Sequence, residues 1–146
     1  MAERKATVMW SGSLAEGSGT VSAASGAFSD QAVSWPSRTG DANGQTSPEE
    51  LIAAAHSACY AMAFSYVLVN AGHTVEQLDV TSAVGFGPKP SGGMQVTHSH
   101  LTVKGTIPGL DQETFAALAK QAEESCPVSN ALRNNIEITV NATLAS

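Results

Sequence analysis

An apolar, helix-forming run, residues 51–69, constrains the fold of this 146-residue chain more than any other feature. The run follows a helix start signal: Ser47 suits the N-cap, the proline after it suits the first helical position, and Glu50 completes a Ser-x-x-Glu capping box. Gly72 supplies a stop signal. The sequence therefore predicts one long helix from Pro48 to about Ala71.

This helix is apolar almost all round, which is typical of a helix that is buried on most sides or placed in a membrane. His56, Ser57 and Ser65 interrupt the run, and its many alanines weaken membrane insertion and permit close packing. Its acidic Pro-Glu-Glu start also looks like the cap of a soluble helix. We therefore predict a long buried helix and no membrane partner.

Alternation of apolar and polar residues predicts strands on both sides of the long helix. Before it, residues 6–11 and 20–23 form a predicted hairpin. After it, residues 78–86, 94–104 and 136–144 alternate in the same way, which is typical of strands with one buried face.

Two shorter helices are predicted before the last strand. Asp111 caps the first, which extends to about Glu124, and Cys126-Pro127 interrupts it and begins a second helix over residues 128–133.

Residues 36–47 carry no apolar pattern and are predicted to be a loop. The order of elements predicts a single α+β domain, residues 1–146, with helices packed against a curved antiparallel sheet.

Composition excludes several function classes. The net charge is −6, and the seven Lys and Arg form no basic run, which argues against nucleic acid and anionic membranes as partners. Only 14% of residues are charged, which favours a surface hidden against another subunit. The N-terminus has no apolar signal-peptide core, so we expect a cytoplasmic protein. Two cysteines in such a chain are more often catalytic or metal-binding than structural.

The two cysteines lie in different local settings. Cys59 is three turns into the long helix, where the helix dipole is too distant to ionise it and desolvation raises its pKa, so by position alone it is an inert core thiol. Cys126 precedes Pro127 and can occupy the N-cap of the short helix, where unsatisfied N–H groups favour a thiolate. Cys126 is therefore a candidate leaving group and resolving thiol.

Two charged residues are candidates to activate Cys59. Arg38 could stabilise a thiolate if its loop folds over the long helix, and Glu49, which the capping box does not need, could hold Arg38 through a bidentate pair. The alternative interpretation, a solvated loop charge and a carboxylate favouring the helix dipole, is the better one from these residues alone.

The histidines are weaker candidates. His56 lies one turn before Cys59 and could be a base or metal ligand, but a hydrogen-bonded core histidine is the more common case. His98 and His100 share a strand face, yet their spacing matches no closed zinc pattern. We therefore expect no metal site, although zinc bound by the two cysteines and nearby histidines remains an alternative.

The segments SPEELIAAAHSACYAMAFS around Cys59 and CPVSNALR around Cys126 resemble the family of osmotically inducible protein C (OsmC) and the organic hydroperoxide resistance proteins. The resemblance covers nearly the whole chain, including the Trp10-x-Gly start. Arg38 stands shortly before the Pro-Glu-Glu motif, as in the OsmC branch, whereas the other branch has its arginine nearer the N-terminus.

The resemblance implies an OsmC-like fold and an intertwined homodimer with two sites at the subunit interface. It also implies a thiol-dependent peroxidase acting on organic hydroperoxides in stress defence, with Cys59 as the peroxidatic and Cys126 as the resolving cysteine. Arg38 and Glu49 match the motif arginine and glutamate. An external dithiol, a lipoyl-bearing protein in a family relative, would reduce the disulfide, and we expect no cofactor.

A binding protein is the alternative from another functional class. In that interpretation an apolar pocket carries a lipid or another hydrophobic ligand, and both cysteines are idle. Such a carrier would bind its ligand without consuming peroxide, which distinguishes it from the enzyme.

Overall fold

The computed structural model describes residues 1–145. The chain divides into two compact units, residues 1–51 and the residues from 52 onward. The single domain expected from the sequence stays a prediction. The α+β class of the fold is the predicted one, since the chain combines two three-stranded sheets with helices.

The first unit contains a three-stranded antiparallel sheet. Its strands are β1 (Ala6–Ser11), β2 (Ser18–Ala23) and β3 (Gln31–Val33), in that order across the sheet. The predicted hairpin of β1 and β2 is confirmed, with Val8 opposite Val21. The short β3, which pairs with β2, was not predicted because three residues show no period.

The loop predicted for residues 36–47 is wrong at its start, where the helix α1 (Trp35–Thr39) lies. Ser34 is its N-cap and accepts a hydrogen bond from the Ser37 N–H at 3.3 Å, and a proline occupies the first turn. This Ser-Trp-Pro start is a regular helix signal, and it outweighs the polar composition of the residues that follow. Arg38 therefore lies on a helix.

The long helix α2 (Pro48–Asn70) has the predicted bounds within one residue. The Ser47 hydroxyl accepts a hydrogen bond from the Glu50 N–H at 3.1 Å, which confirms the N-cap. The capping box is only half formed, however, because the Glu50 carboxylate accepts from the Thr46 hydroxyl at 2.7 Å. Gly72 ends the helix with a φ of +90°, a conformation that glycine adopts without strain.

The second unit contains a mixed sheet of β4 (Gln77–Pro88), β5 (Met94–Thr106) and β6 (Glu137–Leu144). β4 and β5 form an antiparallel hairpin, but β6 pairs with β5 in parallel, so the prediction of antiparallel sheets is wrong for this pair. The cause is the connection, since two helices between β5 and β6 return the chain to the same end of the sheet.

Those two helices are α3 (Gln112–Ser125) and α4 (Pro127–Leu132). Asp111 caps α3 as predicted, and the Thr114 N–H donates to its carboxylate at 2.8 Å. This backbone hydrogen bond holds the pKa of Asp111 below its ordinary value.

The core of the second unit joins one face of α2 to β5 and α3. The fully buried large apolar side chains of α2 are Tyr60, Phe64 and Leu68, which repeat at helical spacing. They pack with core residues of β5 and α3, namely Leu101, Val103, Phe115, Ala119 and Ala122. The Tyr60 hydroxyl donates to the Ala119 carbonyl at 2.8 Å, which fixes the position of α2 against α3.

The other face of α2 contradicts the prediction of a helix buried on most sides. Met62, Tyr66 and Val69 are 72%, 70% and 57% exposed. They form an apolar stripe, because residues four and three apart lie above one another on a helix. By length and composition α2 could also cross a membrane, a weak indication because core helices of soluble proteins pass the same test.

Candidate active site

The two cysteines, which are 67 positions apart in sequence, are neighbours in the second unit. Both are free thiols; Cys59 on α2 is partly exposed and Cys126 is fully buried. Their side chains lie within interaction range, and Cys59 Sγ also accepts a hydrogen bond from the Val128 N–H. The helix break that was predicted at Cys126 thus brings a second thiol to the first.

Cys126 is the N-cap of α4, as predicted. Its Sγ accepts a hydrogen bond from the Ser129 N–H at 3.5 Å. Because Pro127 has no N–H, the first two amide donors of α4 are those of Val128 and Ser129. Each sulfur atom therefore accepts a hydrogen bond from one of these two donors, Cys59 from Val128 and Cys126 from Ser129.

Several effects act on the acidity of Cys59. Burial is the largest and raises the pKa of the thiol above its ordinary value, while the hydrogen bond from the Val128 N–H opposes it. The neighbouring Cys126 raises the pKa further. The net direction agrees with the desolvation expected from the sequence, so this thiol needs a further activating charge to react as a thiolate at neutral pH.

A pocket of about 490 Å³ opens beside Cys59. Most of its wall is apolar and comes from α2 and the start of α4, namely Met62, Ala63, Tyr66, Val67 and Pro127. A molecule with a hydrocarbon tail can therefore approach the Cys59 sulfur through an apolar environment.

Arg38 and Glu49 form a bidentate pair in the first unit, the arrangement that these residues alone made the less favoured of two. Arg38 Nη2 lies 2.7 Å from Glu49 Oε1, and Arg38 Nε lies 3.1 Å from Oε2. Glu49 is only 7% exposed, so its carboxylate depends on this guanidinium for compensation. The ring of Trp35 lies 5.9 Å from the Arg38 Cζ and packs on the cation. The activation of Cys59 by Arg38 stays a prediction.

His56 is the hydrogen-bonded core histidine that the sequence favoured. It is fully buried, with Nδ1 2.6 Å from Ser99 Oγ and Nε2 2.7 Å from Ser129 Oγ. Both serines are also fully buried, and neither was predicted from the sequence. A signal existed for Ser99, since it alternates with His98 and therefore lies on the buried face of β5, where a hydroxyl requires a partner.

The two histidines of β5, His98 and His100, stack on each other. The rings of His98 and His100 stack at 4.1 Å, and His100 Nε2 lies 2.9 Å from Glu137 Oε1. Within residues 1–145, no three His, Cys, Asp or Glu side chains come together as a set that could hold a metal ion.

Comparison with known proteins decides the family. The family profile described as OsmC-like protein matches residues 40–141. The chain belongs to the OsmC-like family. It is 38% identical to Peroxiredoxin OsmC of Escherichia coli K12 over 98% of this chain and 97% of that protein. It is 34% identical to the Organic hydroperoxide resistance protein of Xanthomonas axonopodis pv. citri, over 76% of this chain and 77% of that protein.

Solved structures give the same result for the fold. The organic hydroperoxide resistance protein OhrB of Bacillus subtilis superimposes with a TM-score of 0.74 at 28% identity, covering 94% of this chain and 97% of that one. The organic hydroperoxide resistance protein OsmC of Legionella pneumophila superimposes with a TM-score of 0.75 at 28% identity, covering 99% of this chain and 100% of that one. The predicted resemblance, the α+β fold and the class of peroxidase-like enzyme are confirmed.

We expect the His56 ring to stay neutral below its ordinary pKa of 6.5, because burial lowers its pKa, although Glu123 opposes part of the shift. Unfolded chains bind a proton there that the folded chain does not, so the free energy of unfolding should fall as pH drops below 6.5, by up to about 1.4 kcal/mol per pH unit. Ring ¹⁵N spectra and urea titrations from pH 8 to 5 measure both quantities. Protonation of His56 at or above 6.5 would contradict the prediction.

Proposed function

We propose that this OsmC-like protein reduces organic hydroperoxides to alcohols through its two cysteines, in defence against oxidative or osmotic stress. The observation that carries the proposal is the pair of free thiols in contact beside an apolar pocket, with one amide donor for each sulfur. The names of the relatives, a peroxiredoxin and organic hydroperoxide resistance proteins, support a function related to hydroperoxides.

In the first step the Cys59 thiolate attacks the terminal oxygen of the hydroperoxide. An S–O bond forms while the O–O bond breaks, and the departing alkoxide takes a proton and leaves as the alcohol. Cys59 is oxidised to a sulfenic acid and the hydroperoxide is reduced. Arg38, held by Glu49, is proposed to stabilise the thiolate; the bidentate pairing of this partly buried guanidinium with a buried carboxylate supports this role.

In the second step the Cys126 thiolate attacks the sulfur of the Cys59 sulfenic acid. An S–S bond forms, the S–O bond breaks, and hydroxide leaves as water with the proton that Cys126 gave up. A dithiol then reopens the disulfide by exchange and is itself oxidised to a disulfide. We propose a lipoyl-bearing protein as that dithiol and a cytoplasmic location for the cycle.

Single-cysteine variants test both roles. With cumene hydroperoxide and a dithiol reductant, the native chain should turn over, and Cys59→Ser should lose activity at least about 10³-fold because the nucleophile is gone. Without the dithiol, which could reduce a sulfenic acid directly, Cys126→Ser should consume one equivalent per chain and stop as a sulfenic acid that dimedone traps, whereas the native chain should stop as the disulfide.

Two results would contradict these assignments. Continued cycling of Cys126→Ser, without a small thiol able to resolve it, would remove Cys126 from the mechanism. A folded, reduced native chain that binds cumene hydroperoxide but consumes none would favour a carrier of hydrophobic ligands.

Alkylation kinetics test the proposed role of Arg38. Arg38→Ala should slow iodoacetamide modification of Cys59 at pH 7 by about tenfold, the effect of one pKa unit, because less of the thiol is ionised. Arg38→Lys keeps the charge without the bidentate geometry, so its alkylation rate should lie between those of the native chain and Arg38→Ala. Equal rates for all three variants in denaturant serve as the control, and an equal rate for folded Arg38→Ala would remove Arg38 from the activation step.

We also propose that the chain functions as a homodimer that covers the exposed apolar stripe of α2, which consists of Met62, Tyr66 and Val69. Contiguous apolar surface of this kind is typical of protein interfaces. Because Met62 and Tyr66 also line the pocket beside Cys59, a partner seated on the stripe would help to enclose the substrate.

Sedimentation velocity tests this interface. The native chain should sediment as a dimer, and Val69→Glu should weaken the dimer at least about tenfold because it would bury an unpaired charge. Met94→Glu places the same charge on an exposed apolar residue of β5 and should leave the dimer unchanged. A monomeric native chain, or a fully stable Val69→Glu dimer, would contradict the assignment.

A further inference from the structure

His56 connects three elements of the second unit through its two ring nitrogens. Nδ1 is 2.6 Å from the hydroxyl of Ser99 on β5, and Nε2 is 2.7 Å from the hydroxyl of Ser129 on α4. The Ser99 hydroxyl lies a further 2.7 Å from that of Ser82 on β4. The network is fully buried at its centre, and each of its polar atoms has a partner.

Each end of the His56–Ser129 hydrogen bond lies next to a thiol. On α2, His56 is one helical turn before Cys59, so the two side chains project from the same side of the helix. On α4, the backbone N–H of Ser129 donates to Cys126 Sγ at 3.5 Å. One hydrogen bond thus ties the turn that carries Cys59 to the turn that carries Cys126.

Stability alone does not account for this choice of residues. An apolar side chain of similar volume could fill the space without the cost of desolvating an imidazole and two hydroxyls. What a polar network adds is direction, because each hydrogen bond fixes the rotation and the separation of the groups that it joins. The separation that matters most here is the one between the two sulfur atoms.

We propose that His56, through the Ser129 hydroxyl, is a positioning residue for disulfide formation between Cys59 and Cys126. The inference rests on the proposed peroxidase function and deepens it, because it concerns the second chemical step. Reaction of Cys59 with the hydroperoxide needs only one sulfur, whereas attack by Cys126 on the sulfenic acid needs both sulfurs at bonding distance and in line. The His56–Ser129 contact acts on the second step.

The chain offers two serine variants matched for this test. Ser129→Ala removes the hydroxyl that bonds Nε2 but keeps the backbone N–H that bonds Cys126. Ser99→Ala removes the hydroxyl that bonds Nδ1 and leaves the α2–α4 connection intact. Each variant deprives the same buried imidazole of one partner, and Ser99→Ala also deprives the Ser82 hydroxyl, so Ser99→Ala should lose at least as much stability as Ser129→Ala. Ser57→Ala is the unperturbed control, since its hydroxyl bonds the Ala53 carbonyl within α2.

In a single turnover with cumene hydroperoxide, mass spectrometry with dimedone trapping follows sulfenic acid and disulfide separately. Ser129→Ala should oxidise Cys59 within about threefold of the native rate but close the disulfide at least about tenfold more slowly, since small misplacements of reacting atoms cost rates of this order. Ser99→Ala and Ser57→Ala should stay within about threefold of the native chain in both steps. Native closure by Ser129→Ala, or equal slowing by Ser99→Ala, would overturn the proposal.

A second measurement needs no peroxide. In mixtures of reduced and oxidised dithiothreitol, the two protein thiols pass their electrons to the oxidised reagent, and the protein disulfide forms as the reagent is reduced. Ser129→Ala should shift this equilibrium about tenfold toward the protein dithiol, and Ser99→Ala should not shift it. If the native chain consumes no hydroperoxide, the proposed function fails, and this equilibrium still decides whether the contact positions the thiols.

Discussion

Both sulfur atoms of the site depend on the first turn of α4, a helix of six residues. Pro127 begins the helix without an N–H, so its first amide donors are those of Val128 and Ser129, and these bond Cys59 and Cys126 respectively. Burial raises the pKa of Cys59, and the Val128 N–H works against that effect. The same turn therefore supplies a hydrogen bond to each sulfur, and at Cys59 that bond favours the charged form that attacks the hydroperoxide.

The long helix carries the other half of the site, and its two faces have different tasks. The face with Tyr60 and Phe64 anchors α2 in the core against α3 and β5, which fixes the position of Cys59. The opposite stripe, which includes Met62 and Tyr66, is exposed within one chain although it is apolar. The helix therefore lacks the polar outer face of an ordinary surface helix, because both of its faces are apolar for different reasons.

Local signals predicted most of the fold. The N-caps at Ser47 and Asp111, the break at Cys126 and the alternation of β6 each depend on neighbours in sequence, and each was predicted correctly. The parallel pairing of β6 was missed, because the direction of a strand follows from the path of the helices before it rather than from its own residues. The cap at Ser34 is also a local signal, but the polar composition of residues 36–47 predicts a loop instead, which is wrong at residues 35–39.

In the candidate site, too, the features that sequence motifs predict differ from those that depend on residues distant in sequence. The resemblance to the family motifs identified both cysteines, Arg38 and Glu49, but no sequence signal could supply the partners of His56, which come from 43 and 73 positions away. A buried imidazole with two hydroxyl partners costs more to desolvate than an apolar side chain, and what it adds is a fixed geometry between the groups that it joins. Ser129 makes two such contacts. Its hydroxyl bonds His56 on the helix that carries Cys59, and its backbone N–H bonds the sulfur of Cys126. A residue with two such contacts couples the placement of one thiol to that of the other.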